Sequence, residues 1–132
     1  MKHIISILFV TLLSCALSSC GTTMSKEEAL LKAGQHYILD NLKSPSTAVF
    51  ISHYTAQDTK QSFIDNGIEF KPYQDVMMIE VEGTNGYGGR ETVTYIVFYV
   101  DGKPISMMDA RNVNKFNVRE VFSTLRIYGW EK

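Results

Sequence analysis

The hydrophobic and polar positions divide the chain into four parts. An uncharged apolar run covers residues 4–17, helical spacing of apolar residues follows between 25 and 42, two-residue alternation dominates 47–109, and helical spacing returns between 116 and 132. Apolar residues three or four apart predict a helix with one buried face, whereas strict alternation predicts a strand. We therefore expect an α+β domain with an N-terminal helix, an antiparallel curled sheet of about four strands and a C-terminal helix.

The first helix has a start and a stop in the sequence. Ser25 and Glu28 are spaced as a capping box, in which the serine side chain accepts from the amide three residues on. Pro45 lacks an amide hydrogen and biases Ser44 away from helix, so the helix ends before it. Its predicted buried stripe consists of Leu30, Ala33, Tyr37, Ile38 and Leu42.

Strand signals fill the middle of the chain. Asn66-Gly67, Asn85-Gly86 and Asp101-Gly102 are turn pairs able to adopt positive φ, and each lies between β-prone runs. The alternation from Met77 to Glu82 predicts a strand with one solvated face. The run from Thr92 to Val100 is apolar on both faces, which predicts a central strand.

A second helix is predicted at the end of the chain. Asn117 and Glu120 are spaced like a cap, and Gly129 suits a C-terminal cap. The apolar stripe of this helix consists of Val118, Val121, Phe122 and Leu125.

The apolar run at the start of the chain is too short for a stable membrane span. It follows Lys2 and ends in Leu17-Ser18-Ser19-Cys20, while a spanning helix needs about 20 apolar residues. A positive start, a short apolar segment and small residues are typical of a secretory leader. This order resembles the bacterial lipoprotein precursors, whose lipobox is Leu, two small residues and Cys.

That resemblance implies a diacylglyceryl group on the thiol of Cys20 and cleavage just before it. The chain then divides into a signal peptide (1–19), a lipidated cysteine with a short spacer (20–24) and one α+β domain (25–132). Two or more acyl chains hold a protein stably on a membrane. Gly21 stands where an Asp commonly retains such proteins in the inner membrane, so we expect the periplasmic face of the outer membrane.

Composition excludes several classes of function. The 132 residues carry 13 Lys and Arg against 14 Asp and Glu, a net charge of -1, which offers no electrostatic footprint for nucleic acid. The two cysteines are Cys15, in the leader, and Cys20, assigned to lipid, so no disulfide is expected. His36 and His53 lack the spacing of a zinc site. We expect no metal and no cofactor other than the covalent lipid on Cys20.

The densest functional candidate is the glycine-rich stretch between residues 83 and 90. It lacks the lysine of a phosphate loop and the last glycine of a dinucleotide fingerprint, so a wide hairpin is the simplest interpretation. Tyr87 and Arg90 are residue types enriched where partners anchor. We take Asn85, Tyr87 and Arg90 as the candidate partner-binding residues. The alternative is that Tyr87 folds back onto the sheet.

Two other kinds of chemistry are open. Glu80 and Glu82 share a strand face and could act as a carboxylate pair in a cell-wall hydrolase. Alternatively, Tyr95, Phe98, Tyr99 and Trp130 could line a cleft for a small ligand, although aromatic residues at such spacings usually form core.

A second resemblance covers roughly residues 35–105. The segment 41–50, followed by 85–90, is similar to a small domain of uncharacterised bacterial and phage envelope lipoproteins, which implies a location and a topology but no activity. Together these features predict a membrane-anchored, non-enzymatic lipoprotein that binds an envelope protein. The small-ligand and hydrolase functions are the alternatives, and the oligomeric state is left open.

Overall fold

The computed structural model describes residues 24–85 and 87–112. The predicted leader, Cys20 and the predicted C-terminal helix lie outside these ranges. No helix in the described ranges is both long enough and apolar enough to span a bilayer. The helices and strands are α1 (Lys26–Asn41), β1 (Val49–His53), α2 (Ala56–Asp65), β2 (Gln74–Thr84), β3 (Arg90–Val100) and β4 (Lys103–Asp109), with short 3₁₀ turns at Pro45–Thr47 and Ala110–Asn112.

The fold is mixed α+β, with two described helices and an open, antiparallel four-stranded sheet. The strands lie in the order β1-β2-β3-β4. β3 pairs with β2 on one side and with β4 on the other, so the prediction that it is a central strand is confirmed. Its residues from Ile96 to Tyr99 are all buried, because both faces of the sheet are covered there.

α1 begins at the predicted cap and covers one face of the sheet. The Ser25 hydroxyl accepts from the Glu28 amide at 3.2 Å, which satisfies one of the free donors at the helix start. Leu30, Gly34 and Ile38 are its buried residues. They pack over the face of the sheet that carries Met77, Ile79, Val81, Val97 and Tyr99.

Helix α2 was not predicted, and the expectation of strands throughout 47–109 is wrong here. Thr55 caps it by accepting from the Asp58 amide at 3.1 Å, and Phe63 is its main buried apolar residue. β1 pairs with β2 only as far as Ile79. Beyond that point the Thr59 hydroxyl accepts from the Met78 amide at 3.3 Å, so α2 covers the part of the β2 edge that β1 leaves unpaired.

The pair Asn66-Gly67 ends α2 instead of turning a hairpin. Gly67 has a φ of 88°, its amide donates to Ile64, and the Ile68 amide donates to Phe63. This is the Schellman pattern of helix ends, in which glycine takes the left-handed position. Ile68 also packs against the cluster of Phe63, which is the apolar contact expected of this cap.

The other two turn pairs lie in hairpins, as predicted. Asp101 and Gly102 both have positive φ, 51° and 77°, which is the type I′ geometry of a two-residue hairpin. Asn85 begins the loop between β2 and β3, where Thr84 pairs with Arg90.

The expectation that β2 has one solvated face is correct only toward the β2–β3 loop. Val76 is fully buried on the supposedly wet side. There it joins Phe63, Ile96 and Phe98 in a second apolar cluster, which Ile68 and Phe70 help to cover. Glu80 and Glu82, farther along the same face, stay partly exposed. The sheet is therefore buried on both faces near the start of β2, and on only one face toward the β2–β3 loop.

An ion-pair cluster ties both helices to the buried end of the sheet. The carboxylate of Asp75 is 5% exposed and lies 3.3 Å from Lys26 Nζ and 3.0 Å from Lys60 Nζ. Glu27 Oε1 accepts from the Ala56 amide at 2.5 Å, so α1 supplies an extra acceptor at the start of α2. We call this end, defined by Lys26, Asp75 and the Asp101-Gly102 turn, the base of the domain.

Candidate functional site

The β2–β3 hairpin carries the predicted site at the end of the sheet opposite the base. The last buried side chain of β2 is Val81, and residues from Glu82 to Thr84 are only partly buried. On β3, Arg90 is exposed. The hairpin therefore extends past the apolar core, and we call residues 85 and 87–89 the tip.

The side chain of Asn85 organises the tip. Its Oδ1 accepts from the amides of Tyr87 and Gly89, both at 3.0 Å. Its amide donates to the Gly89 carbonyl at 2.7 Å, and its carbonyl accepts from Gly88 at 3.1 Å. Gly88 has a φ of 81°, a backbone conformation that glycine adopts without strain. The loop therefore has an internal hydrogen-bond framework despite its glycine content.

Tyr87 stands free at the end of this framework. Its relative exposure is 100%, so the alternative that it folds back onto the sheet is wrong. The other exposed large apolar and aromatic residues in the described ranges are all less exposed than Tyr87; they are Met24, Val49, Ile51, Tyr54 and Ile64. An aromatic ring kept wholly in water on a hydrogen-bonded loop is available to a partner without rearrangement of the core.

Arg90 is held by a neighbour rather than projecting freely. Its Nε donates to Glu82 Oε1 at 2.5 Å, and the two side chains are 50% and 34% exposed. Glu82 pairs with Thr92 and Arg90 with Thr84 in the sheet register, so this is a diagonal contact across the hairpin. Glu82 therefore sets the direction of the guanidinium.

The two glutamates proposed for a hydrolase face the same side but have separate partners. Glu80 Oε2 accepts from the Ser52 hydroxyl at 2.6 Å, which ties it to β1, while Glu82 is bound to Arg90. Their neighbours on β3 are Thr94 and Thr92, which lie two residues apart. Each carboxylate thus has a local structural role.

The proposed aromatic cleft is not formed by the residues expected. Phe98 and Tyr99 are both fully buried and lie in different apolar clusters on opposite faces of the sheet. The Tyr99 hydroxyl donates to the Leu30 carbonyl at 2.7 Å, and burial raises the pKa of Tyr99. Trp130 lies outside the described residues.

An open recess of about 100 Å³ lies beside the hairpin, on the face that α1 covers. The recess is lined by Leu42, Val81, Gly83, Thr84, Glu91, Val93 and Tyr95. Burial is the main cause that raises the pKa of the Tyr95 hydroxyl, and the nearby Asp109 carboxylate adds to it. Among the three described residues of the predicted cleft, Tyr95 is therefore the one that borders this recess.

A charge network that the sequence analysis did not identify borders this recess. Arg111 Nη1 donates to Glu91 at 2.8 Å, and its Nη2 donates to Asp109 at 2.6 Å. The hydrogen bonds that Arg111 donates to Asp109 lower the pKa of the Asp109 carboxyl. Glu91 and Arg111 are 20 residues apart in sequence, so their pairing depends on the β3–β4 register, which no local motif reveals.

The two histidines among the described residues lie apart, His36 on α1 and His53 on β1. His36 Nε2 is 3.5 Å from Asp40, and His53 is exposed on the edge strand. Within residues 24–85 and 87–112, no three His, Cys, Asp or Glu side chains converge as metal ligands would. No protein-family model, curated protein or solved structure matches the chain.

Proposed function

We propose that this protein is a membrane-anchored envelope lipoprotein that binds another envelope protein and is not an enzyme. The lipidated residue is Cys20, the anchor holds the chain on the periplasmic face of the outer membrane, and the tip is the contact surface. Tyr87 is the central contact, Asn85 fixes the loop, and Arg90 borders the contact. The 116–132 segment adds a C-terminal helix to the α+β domain in this proposal.

The observation that carries the binding proposal is the complete exposure of Tyr87 on a loop with four internal hydrogen bonds. Tyrosine offers a large contact area at a small cost in side-chain entropy, and such residues are common binding hot spots. An ordered loop loses less conformational freedom on binding than a disordered one. The tip thus combines a favourable contact residue with a prepared backbone.

The anchor is tested by metabolic labelling with an alkyne-bearing fatty acid. Wild type should incorporate the label and fractionate with membranes, and Cys20→Ser should do neither. Cys15→Ser is the matched control, because that cysteine leaves with the leader in the proposed processing. Equal labelling of the Cys20→Ser and wild-type chains would exclude lipidation at this residue.

The contact surface is tested by site-specific photo-crosslinking in intact cells. A photoreactive amino acid at position 87 should yield one dominant crosslinked protein, and the same group at Tyr54, which is 60% exposed, is the matched control. The captured protein is then purified and titrated against wild type and Tyr87→Ala. A loss of at least about thirtyfold in affinity is expected, since hot-spot truncations cost about 2 kcal/mol or more. Identical crosslinks at positions 87 and 54 would contradict the tip as the site.

Small-ligand binding is the second candidate function. The observation that supports it is the recess beside Tyr95, since the other described aromatic residues of the predicted cleft are buried. The Gly83 position meets only Thr47 Oγ1, at 3.9 Å, when a Cβ is added. Gly83→Ala therefore narrows the recess with only an ordinary van der Waals contact. A thermal-shift screen with wall fragments, lipids and sugars should find a ligand that stabilises wild type and not this variant. No stabilising ligand at high concentration would argue against this function.

A further inference from the structure

The described start of the chain lies at the base of the domain. Lys26, the first residue of α1, contacts Asp75, the second residue of β2. Its neighbour Glu27 holds the first amide of α2 at the same end. Any segment that joins Ser25 to a lipid at Cys20 therefore enters the domain at the base.

The tip lies at the opposite end of the longest strands. β2 runs from Gln74 to Thr84 over 11 residues. At about 3.3 Å per residue, Asp75 and Thr84 are roughly 30 Å apart along the strand. The loop from Asn85 to Gly89 adds to this length, so Tyr87 is at least as far from the base as Thr84.

The segment between the lipid and the domain is shorter than this distance. Cys20 and Ser25 are separated by five Cα–Cα steps in the sequence, which span at most about 17 Å at roughly 3.5 Å per step. To point its tip at the bilayer, the domain would need a spacer of roughly 30 Å. A chain tethered at Cys20 cannot adopt that orientation, because its spacer is too short.

We infer that the lipidated protein stands with its base on the membrane and presents Tyr87 about 30 Å from the bilayer surface. This inference rests on the proposed lipid anchor at Cys20. The lipid holds the base at the bilayer, whereas a domain that lay flat would bring Tyr87 as close to the headgroups as the base. Met24, 48% exposed, lies at the base beside the spacer.

The orientation specifies the kind of partner. Exposed tyrosines often lie at membrane interfaces, but Tyr87 cannot reach the membrane that holds its own chain. The partner is instead a protein whose contact surface stands clear of that bilayer. A partner that is wholly embedded in the same membrane would not meet the tip.

The orientation is tested by energy transfer on full-length, lipidated protein reconstituted into phosphatidylethanolamine and phosphatidylglycerol vesicles. Three single-thiol variants carry the donor dye: Lys103→Cys, His53→Cys and Tyr87→Cys. Lys103 pairs with Val100 at the base and His53 with Ile79 in the middle of β2, and all three positions are exposed. With an acceptor on the lipid headgroups, transfer should fall in the order 103, 53, 87.

Two further results decide the inference. Equal transfer from the three positions, or strongest transfer from position 87, would overturn it. Inserting 15 Gly and Ser residues after Gly21 should flatten the order, because about 20 flexible residues have an r.m.s. span near 25 Å. An unchanged order would show that the spacer does not set the orientation.

The inference and the proposed function fail in different ways. A chain that mass spectrometry finds without lipid overturns both the anchor and the orientation. Loss of the expected crosslink at position 87 removes the binding proposal, while the order of transfer from 103, 53 and 87 would still support the orientation.

Discussion

At Gly34, helix α1 approaches the sheet closely enough that no side chain fits. A Cβ at this position would lie within 2.8 Å of Ile79 Cδ1 and closer still to the Tyr99 hydroxyl. That hydroxyl cannot easily move, because it donates to the Leu30 carbonyl of the same helix and its ring is fully buried. The glycine therefore sets the distance between α1 and β3.

We expect Gly34→Ala to destabilise the domain by about 1–2 kcal/mol. Overpacking costs about 1–3 kcal/mol, and the better helix propensity of alanine returns roughly 1 kcal/mol at most. The measurement is urea unfolding. The same substitution in a Tyr99→Phe background is the control, and it should cost less because the hydroxyl is gone. An equal cost in both backgrounds would contradict the proposed clash.

Asp109 should make stability depend on pH in the acid range. Hydrogen bonds from Arg111 hold its folded-state pKa below the ordinary value of 3.8. A group with a lowered folded-state pKa stabilises the fold above its unfolded pKa, and that contribution disappears as pH falls through the folded value. Asp109→Asn should therefore lose stability relative to wild type at pH 6, and the difference should shrink below pH 3.8.

Urea unfolding at pH 6 and at successive values below 3.8 checks this expectation. Glu69→Gln is the control, since it removes an exposed carboxylate and such surface changes usually stay within about 0.5 kcal/mol. A constant difference between Asp109→Asn and wild type across the whole range would contradict the assignment.

Among the elements, α2 depends on its caps. Its first turn is held by Thr55 and by the carboxylate of Glu27 from α1, and its end by Gly67. We expect Thr55→Ala to cost about 1 kcal/mol in urea unfolding, the usual effect of losing an N-cap oxygen. Thr55→Ser keeps that oxygen and is the control. Equal losses in the two variants would show that the threonine methyl group, and not the cap, matters.

The elements also show what a sequence can and cannot predict. The cap at Ser25, the central β3 and the Asp101-Gly102 turn follow from local patterns and were predicted correctly. Asn66-Gly67 was misinterpreted, because a glycine at positive φ serves a hairpin and a Schellman cap equally well. The spacing of Thr55 and Asp58, a cap with an acidic residue in the first turn, was the signal available for α2.

The candidate site divides in the same way. Its location on a glycine-rich hairpin was predictable, because turn chemistry is local. The Asn85 framework and the Arg90–Glu82 contact were not, since both depend on the exact register across the hairpin. The recess beside Tyr95 requires β2, β3 and the end of α1 together, so only the assembled fold defines it.

For the whole molecule, the apolar core and the tip occupy different parts of one sheet. The buried clusters use residues from the base up to Val81 on β2, and the tip begins four residues later. Contacts within the tip are hydrogen bonds among Asn85, Tyr87, Gly88 and Gly89. Because these contacts do not include the core, stability and binding should be separable.

Replacing residues 84–90 with a two-residue Asn-Gly turn tests this separation. The Asn85 amide donates to the Gly89 carbonyl, and hydrogen-bonded pairs alternate with non-hydrogen-bonded pairs along an antiparallel ladder. Gly83 and Glu91, two positions back, are therefore a hydrogen-bonded pair. A pair of this kind suits closure by a two-residue turn. The shortened domain loses the exposed Arg90–Glu82 ion pair, which is worth at most about 1 kcal/mol. We expect urea unfolding to stay within about 1 kcal/mol of wild type and partner capture to disappear. Unfolding of the variant would mean that the tip belongs to the stable core, whereas retained capture would place the contact surface elsewhere on the domain.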